Sequence, residues 1–207
     1  MLVVPVYNMI LLPDAVIYFS LQQLRKSSLS RNVSVNEKAV LIISKDNVKV
    51  NELSEDSFYP IGVVGVVSDI NKEGYVAIRI QYRVNLENIF INPNHTIRLS
   101  ISRRNDLQDL DPIVEEEKLK NLLQVMKDFS SGFEWGKSAD QFISQVDSIN
   151  MAACAMSPWL KISNEERYAI LEEDSVTRRT EMIEKIMYDF LEVGRITNEA
   201  VSSQQKE

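Results

Sequence analysis

The segment YVAIRIQYRV, Tyr75 to Val84, alternates apolar and polar residues without a break. Val76, Ile78, Ile80, Tyr82 and Val84 fall on one side, with Ala77, Arg79, Gln81 and Arg83 on the other. A period of two belongs to a β-strand. A polar outer face points to an antiparallel sheet wetted on one side rather than to a doubly wound one. The same alternation returns at Ile97, Leu99 and Ile101, and Ile89 to Ile91 reads as a short strand before the Asn92-Pro93-Asn94 turn.

Upstream, the turn from Asn71 to Gly74 leads back to Ile61-Gly62-Val63-Val64-Gly65-Val66-Val67. Five β-branched residues favour a central strand, and two glycines inside it imply backbone crowding or a sharp bend. The spacing lacks both a Gly-x-Gly-x-x-Gly run and a Lys-Ser/Thr pair, which argues against a phosphate cradle. Lys38 to Ser44 contains AVLII with no alternation, as expected of a strand buried on both faces. Ala15 to Leu21 and Leu2 to Val6 supply two further strands, with a loop over Tyr7 to Pro13 and a short helix over Gln22 to Leu29. These elements make a compact, curved, mostly antiparallel sheet.

Near residue 105 the rhythm changes, and the chain divides into a β-rich part, 1–105, and a helical part, 106–207. Asp111 and Pro112 form a helix start, followed by Leu119, Leu122, Leu123, Met126 and Phe129 at helical spacing. Ser130 to Gly136 is a break. A second helix is expected from about Ser138, with Phe142, Ile143, Val146 and Ile149 as its apolar stripe, and Asp147 to Met156 as its end or a separate helix. Ser163 and Glu166 form a capping-box pair. A long helix begins at Val176, and its end, EAVSSQQKE, carries no Gly or Pro stop, so the helix is expected to run on.

Composition narrows the function. Lys and Arg total 23 against 30 Asp and Glu, a formal charge of −7, which argues against DNA binding. The local basic cluster Arg25, Lys26 and Arg31 reads as a solvated face. Cys154, the only cysteine, precludes an internal disulfide or a multi-cysteine zinc site and reads as a packed small residue between alanines. The N-terminus lacks a basic leader region, and Pro5, Asn8, Pro13 and Asp14 interrupt it well short of a membrane span. A cytoplasmic, reducing setting is expected. His95, the single histidine, reads as a turn residue. The acids Glu165 and Glu166, and Glu172, Glu173 and Asp174, are explained by helix capping and a solvated face, with no histidine or nucleophile beside them to support an independent enzyme.

The opening VVPVYNMILLPDAVIYFSL, the run YPIGVVGVV and the stretch from Asp147 to Ile183 together resemble the N-terminal region of the bacterial Lon proteases. These are the ATP-dependent serine proteases of protein quality control. Pro5 and Pro13 fall on the family's first two prolines, and Tyr59 and Gly62 on its Tyr-x-Val-Gly-x-x-Ala run. Met151, Ala152, Leu160, Glu165, Glu166, Leu171, Glu172 and Arg178 fall on its helical pattern. Asp14 stands where the family often has Gly, Tyr7-Asn8 replaces an Arg-Asp pair, and Ile80 falls near a common glycine.

The resemblance implies an α+β fold, a curved, mostly antiparallel β pseudo-barrel followed by an α-helical bundle ending in a long helix. It implies recognition of unfolded or damaged protein substrates and a role in assembling a homo-oligomer, with a hexamer expected. It further implies ATPase and Ser-Lys protease domains that use ATP and Mg. No Walker run and no catalytic serine region occurs in these 207 residues, so this part is expected to bind no cofactor and catalyse nothing itself. A standalone adaptor or regulator without protease activity is the alternative. A receptor for unfolded chains needs accessible apolar side chains, and the candidates are Met9, Ile10, Leu11 and Leu12 in the first loop and Phe133 and Trp135 between helices. For Leu11 and Leu12 the competing reading is packing into the sheet.

Overall fold

The computed structural model describes residues 1–28, 32–133 and 136–204. Six strands come mostly first: β1 (Leu2–Val6), β2 (Val16–Ser20), β3 (Lys38–Ser44), β4 (Phe58–Ile70), β5 (Tyr75–Ile91) and β6 (Ile97–Arg104), with α1 (Leu21–Ser28) between β2 and β3. Then follow α2 (Pro112–Ser130), α3 (Gly136–Ile143), α4 (Ile149–Met156), α5 (Asn164–Glu172) and α6 (Val176–Gln204). The strand order is β1-β3-β4-β5-β2, with β6 also on β5.

The sheet is mixed and open, which corrects the expected pseudo-barrel. β1 runs parallel to β3 and joins no other strand, while β2 pairs only with β5. A barrel requires every strand to be paired on both sides at a consistent shear. Here β5 divides its length instead, using Tyr75–Arg79 for β2 and Arg83–Ile91 for β6, so the sheet forks. Helix α1 touches both β1 and β2. The residues Ile89 to Ile91 are the far end of β5, beyond a register shift between Leu86 and Asn88, rather than a separate strand.

The glycines of β4 answer to crowding. A Cβ on Gly62 would lie 2.6 Å from the Leu41 carbonyl oxygen, and one on Gly65 2.7 Å from that of Arg79. Neighbouring backbones close in where the register slips between Val64 and Gly65 and again between Val67 and Asp69, and such slips bend a strand. Curvature is thus present without closure.

The helices pack on one face of the sheet. Leu41, Ile43, Val63, Ile78 and Ile80 share one apolar cluster with Leu122, Met126, Ile170, Leu171, Ile183 and Met187. The opposite face holds a smaller cluster around Val40, Ile42, Phe58, Val64 and Val84, so β3 is buried on both sides. Local signals set the helix starts. Asp111 accepts from Ile113 N at 2.8 Å, Ser148 from Met151 N at 3.0 Å, and Ser163 and Glu166 cap α5 reciprocally. Because Ser148 starts a new helix, Ile149 to Met156 is the separate helix α4 rather than the end of α3.

A buried ionic clasp joins sheet to helices. Arg83, which the alternation places on the wetted side, has a fully buried side chain. It meets Asp106 at 2.6 Å and Asp174 at 2.8 Å, and donates to the Leu171 carbonyl at 2.7 Å. Arg179, also buried, binds Asp106 at 2.8 Å and the Glu173 carbonyl at 2.7 Å, while Arg104 holds Asp174. Burial works against ionising Asp106, but the hydrogen bond and charge of Arg179 and those of Arg83 outweigh it and hold the carboxyl below its usual range. At Asp174, burial is likewise outweighed by Arg104 and Arg83.

Removing one partner from such a cluster strands the others in a dry site. Arg83→Met should lower stability by about 3 kcal/mol in urea unfolding. The two depressed carboxyls contribute fully above the unfolded aspartate value of about 3.9 and lose that contribution as pH falls through their folded values. Acid unfolding followed by circular dichroism should therefore show stability declining below about pH 4, and declining less steeply in Asp106→Asn.

Candidate functional site

A groove of about 1210 Å³ opens between the β1–β2 side of the sheet and the helices. Its position depends on how the loop after β1 is held. Asn8 adopts a positive φ of 58°, and its N–H donates to Asn164 Oδ1 at 2.9 Å. The Asn164 amide in turn donates to the carbonyls of Ser44 and Lys45. Ile10 N donates to Ser157 Oγ at 2.9 Å, and the Asn150 amide reaches the Pro13 carbonyl at 3.2 Å. Arg167, buried behind the loop, donates to the carbonyls of Ser157 at 3.0 Å and Leu160 at 2.7 Å, fixing the segment that supplies Ser157.

This anchoring separates the four candidate residues of the loop. Ile10, Leu11 and Leu12 turn inward and are completely buried, whereas Met9 is half-buried and lines the groove. Phe133 is half-buried with its ring 5.1 Å from that of Phe129, which is itself 6.0 Å from Phe190. Trp135 lies outside the described residues. Phe133 is therefore packed behind a groove wall, and Met9 is on the groove surface.

The remaining walls come from far apart in the chain. Met126 and Phe129 project from α2, Ala139, Phe142 and Ile143 from α3, Met151 and Met156 from α4, and Phe190 and Leu191 from α6. Val16 to Phe19 of β2 form the opposite side, and Trp159 stands at the rim, 61% exposed, with Tyr18 69% exposed. Methionine adapts its shape to irregular partners, and Met9, Met126, Met151 and Met156 all face this space. Lys26 is the one charged side chain among the lining residues. The sequence signal for these positions was present but diffuse: seven methionines in 207 residues, Met1 and six more spread over three helices and a loop.

The groove offers no reaction centre among the described residues. Burial pushes the Cys154 thiol up to about 12, so it is not a thiolate at neutral pH. No cluster of three or more His, Cys, Asp or Glu is placed to hold a metal among the described residues. Glu166 is engaged in capping and Asp174 in the clasp.

Residues 1–189 match the model of the ATP-dependent protease La (LON) substrate-binding domain. The chain belongs to this family. The Lon protease of Clostridium beijerinckii is 28% identical over 186 residues, covering 86% of this chain and 22% of the relative. That of Methanosarcina barkeri is 22% identical over 183 residues, covering 86% and 23%. The chain thus spans less than a quarter of the curated relatives it matches. The N-terminal domain of a Mycobacterium avium complex Lon protease shares the fold, with a TM-score of 0.59 at 14% identity over 91% of this chain and 97% of that one.

Two positions noted in the sequence gain a physical account within the LON substrate-binding family. Tyr59 stacks on Tyr168, ring centroids 4.0 Å apart and planes 10° from parallel, tying β4 to α5. Asp14 has a φ of 69°, a region that favours glycine. Asp14 and Ala15 together oppose Ile80, with Asp14 N donating to the Ile80 carbonyl and Ile80 N to that of Ala15. This is a β-bulge whose first position is commonly Gly.

The burial of the loop leads to a direct test. Leu11→Ala should cost about 2–5 kcal/mol of stability, measured by thermal or urea unfolding, through the cavity it leaves. Met9→Ala, at the groove surface, should cost less than half of that.

Proposed function

We propose that this groove captures apolar segments of unfolded or damaged proteins for a Lon-type ATP-dependent serine protease. The observation that carries the reading is an open apolar channel with four methionines, exposed aromatic rims and a single charge. Folded proteins present few contiguous apolar stretches of this kind, so the channel discriminates by what a partner exposes. Flexible methionines let one site accept many side-chain shapes. Hydrolysis of ATP with Mg and peptide cleavage belong to other parts of the protease, which acts in the cytoplasm. Among the described residues no helix is long and apolar enough to cross a membrane. Assembly into a homo-oligomer, a hexamer by the family resemblance, places several such grooves around one entrance, and several weak contacts then give strong retention.

The direct measurement is fluorescence anisotropy with one labelled protein in two forms, native and reduced-and-alkylated. The unfolded form should bind and the native form should not. Trp159→Ala should weaken binding about tenfold while leaving unfolding stability within about 0.5 kcal/mol, as for other exposed positions. Equal binding of both forms would remove the proposal.

A further inference from the structure

The β2 side of the groove is a strand edge. In an antiparallel ladder, residues alternate between those bonded to the neighbouring strand and those whose N–H and C=O point away from it. The phase of β2 is fixed at both ends: Ile80 N donates to Ala15 O, and Leu21 N to Gly74 O. With the register Val16↔Arg79 to Ser20↔Tyr75 between them, Ile17 and Phe19 face β5, while Val16, Tyr18 and Ser20 point their backbone groups outward. Ser20 N is taken by the Gln23 side chain at 3.1 Å. The outward groups of Val16 and Tyr18 have no partner among the described residues.

The groove touches four consecutive residues, Val16 to Phe19. Side chains of a strand alternate between its faces, so a space that meets all four runs along the edge and not over one face. The stretch VIYFS carries none of the proline, lysine or bulge that protects an edge from pairing. Of the other strands paired on one side only, β1 has Pro5 and β6 does not line the groove.

We propose that the groove receives an extended stretch of unfolded polypeptide as an added strand along β2, hydrogen-bonded to Val16 and Tyr18. The inference rests on the groove being the binding site. It supplies a recognition element common to every sequence, the peptide backbone, while alternate side chains of the guest enter the methionine-lined space. Folded partners have their backbone groups already paired and offer nothing to this edge.

The test uses the 207-residue chain and a short fluorescein-labelled peptide in which Phe and Thr alternate. Two further versions are N-methylated on every Phe or on every Thr. Strand addition uses the N–H groups of one phase only, so one version should bind about tenfold more weakly than the other, whereas apolar burial alone treats the backbone of both phases alike. On the protein side, Tyr18→Pro removes an outward N–H at an edge position that tolerates proline and should weaken the unmodified peptide similarly. Tyr18→Ala keeps the N–H and should retain most of the binding. If the peptide binds but neither N-methyl phase nor Tyr18→Pro matters, strand addition is wrong and the groove reading stands. If the unmodified peptide does not bind at all, the groove reading fails and this inference with it. Self-association of the chain that is abolished by Tyr18→Pro would assign the edge to a second copy and overturn the proposal.

Discussion

Arg83 is a cation held away from water in the middle of the longest strand. A buried charge of this kind is tolerable only where fixed acceptors replace its hydration, and its acceptors come from two places. Asp106 lies just after the last strand, and Leu171 and Asp174 lie where α5 gives way to α6. Meeting the needs of one guanidinium therefore fixes the angle at which the last two helices leave the sheet. Arg179 repeats the arrangement from the helix side. α6 carries Phe190 and Leu191 to the groove, so the shape of an apolar channel is set in part by an ionic cluster that does not touch it.

The openness of the sheet is the second constraint. A barrel hides its edges by joining them, and the fork in β5 prevents that joining here. What remains is β1, blunted by Pro5, β6, away from the groove, and β2, left beside a channel of methionines. Edge strands in soluble proteins are ordinarily short, charged or covered. β2 is short, and it is the place where a large apolar surface and unpaired backbone coincide.

The element types were largely legible in the sequence, because period-two and period-3.6 patterns are local. The Ser163–Glu166 capping box and the Asp111–Pro112 helix start are written in neighbouring residues and form as read. Closure of the sheet was not legible. Glycines in β4 signal crowding and bending equally well in a closed barrel and a forked sheet, and the pairing partners that decide between them are remote. Arg83 was misplaced for a related reason: the register slip opposite Val64 and Gly65 skips Gln81 and reverses the alternation, so Ile80 lies on the helix face, Val84 on the opposite one, and Arg83 turns to the helices. The groove was the least legible. Leu11 and Leu12 read equally as accessible loop residues or as packed into the sheet until Ser157 and Asn164 are seen to pin the loop inward, and no local pattern links Met9 with Met126, Met151 and Met156.

The anchoring of the first loop also bears on how the chain acquires its shape during synthesis. Asn8 and Ile10 find their hydrogen-bond partners at Asn164 and Ser157, separations of 156 and 147 residues. The loop after β1 must wait for segments made well after it before its backbone is satisfied, and contacts of such long range are slow to form. Until then β2 and the loop before it stand uncovered, presenting to the cell the same apolar, unpaired surface by which other proteins betray that they are unfinished. On the proposed function, the chain for that interval resembles the substrates it would capture.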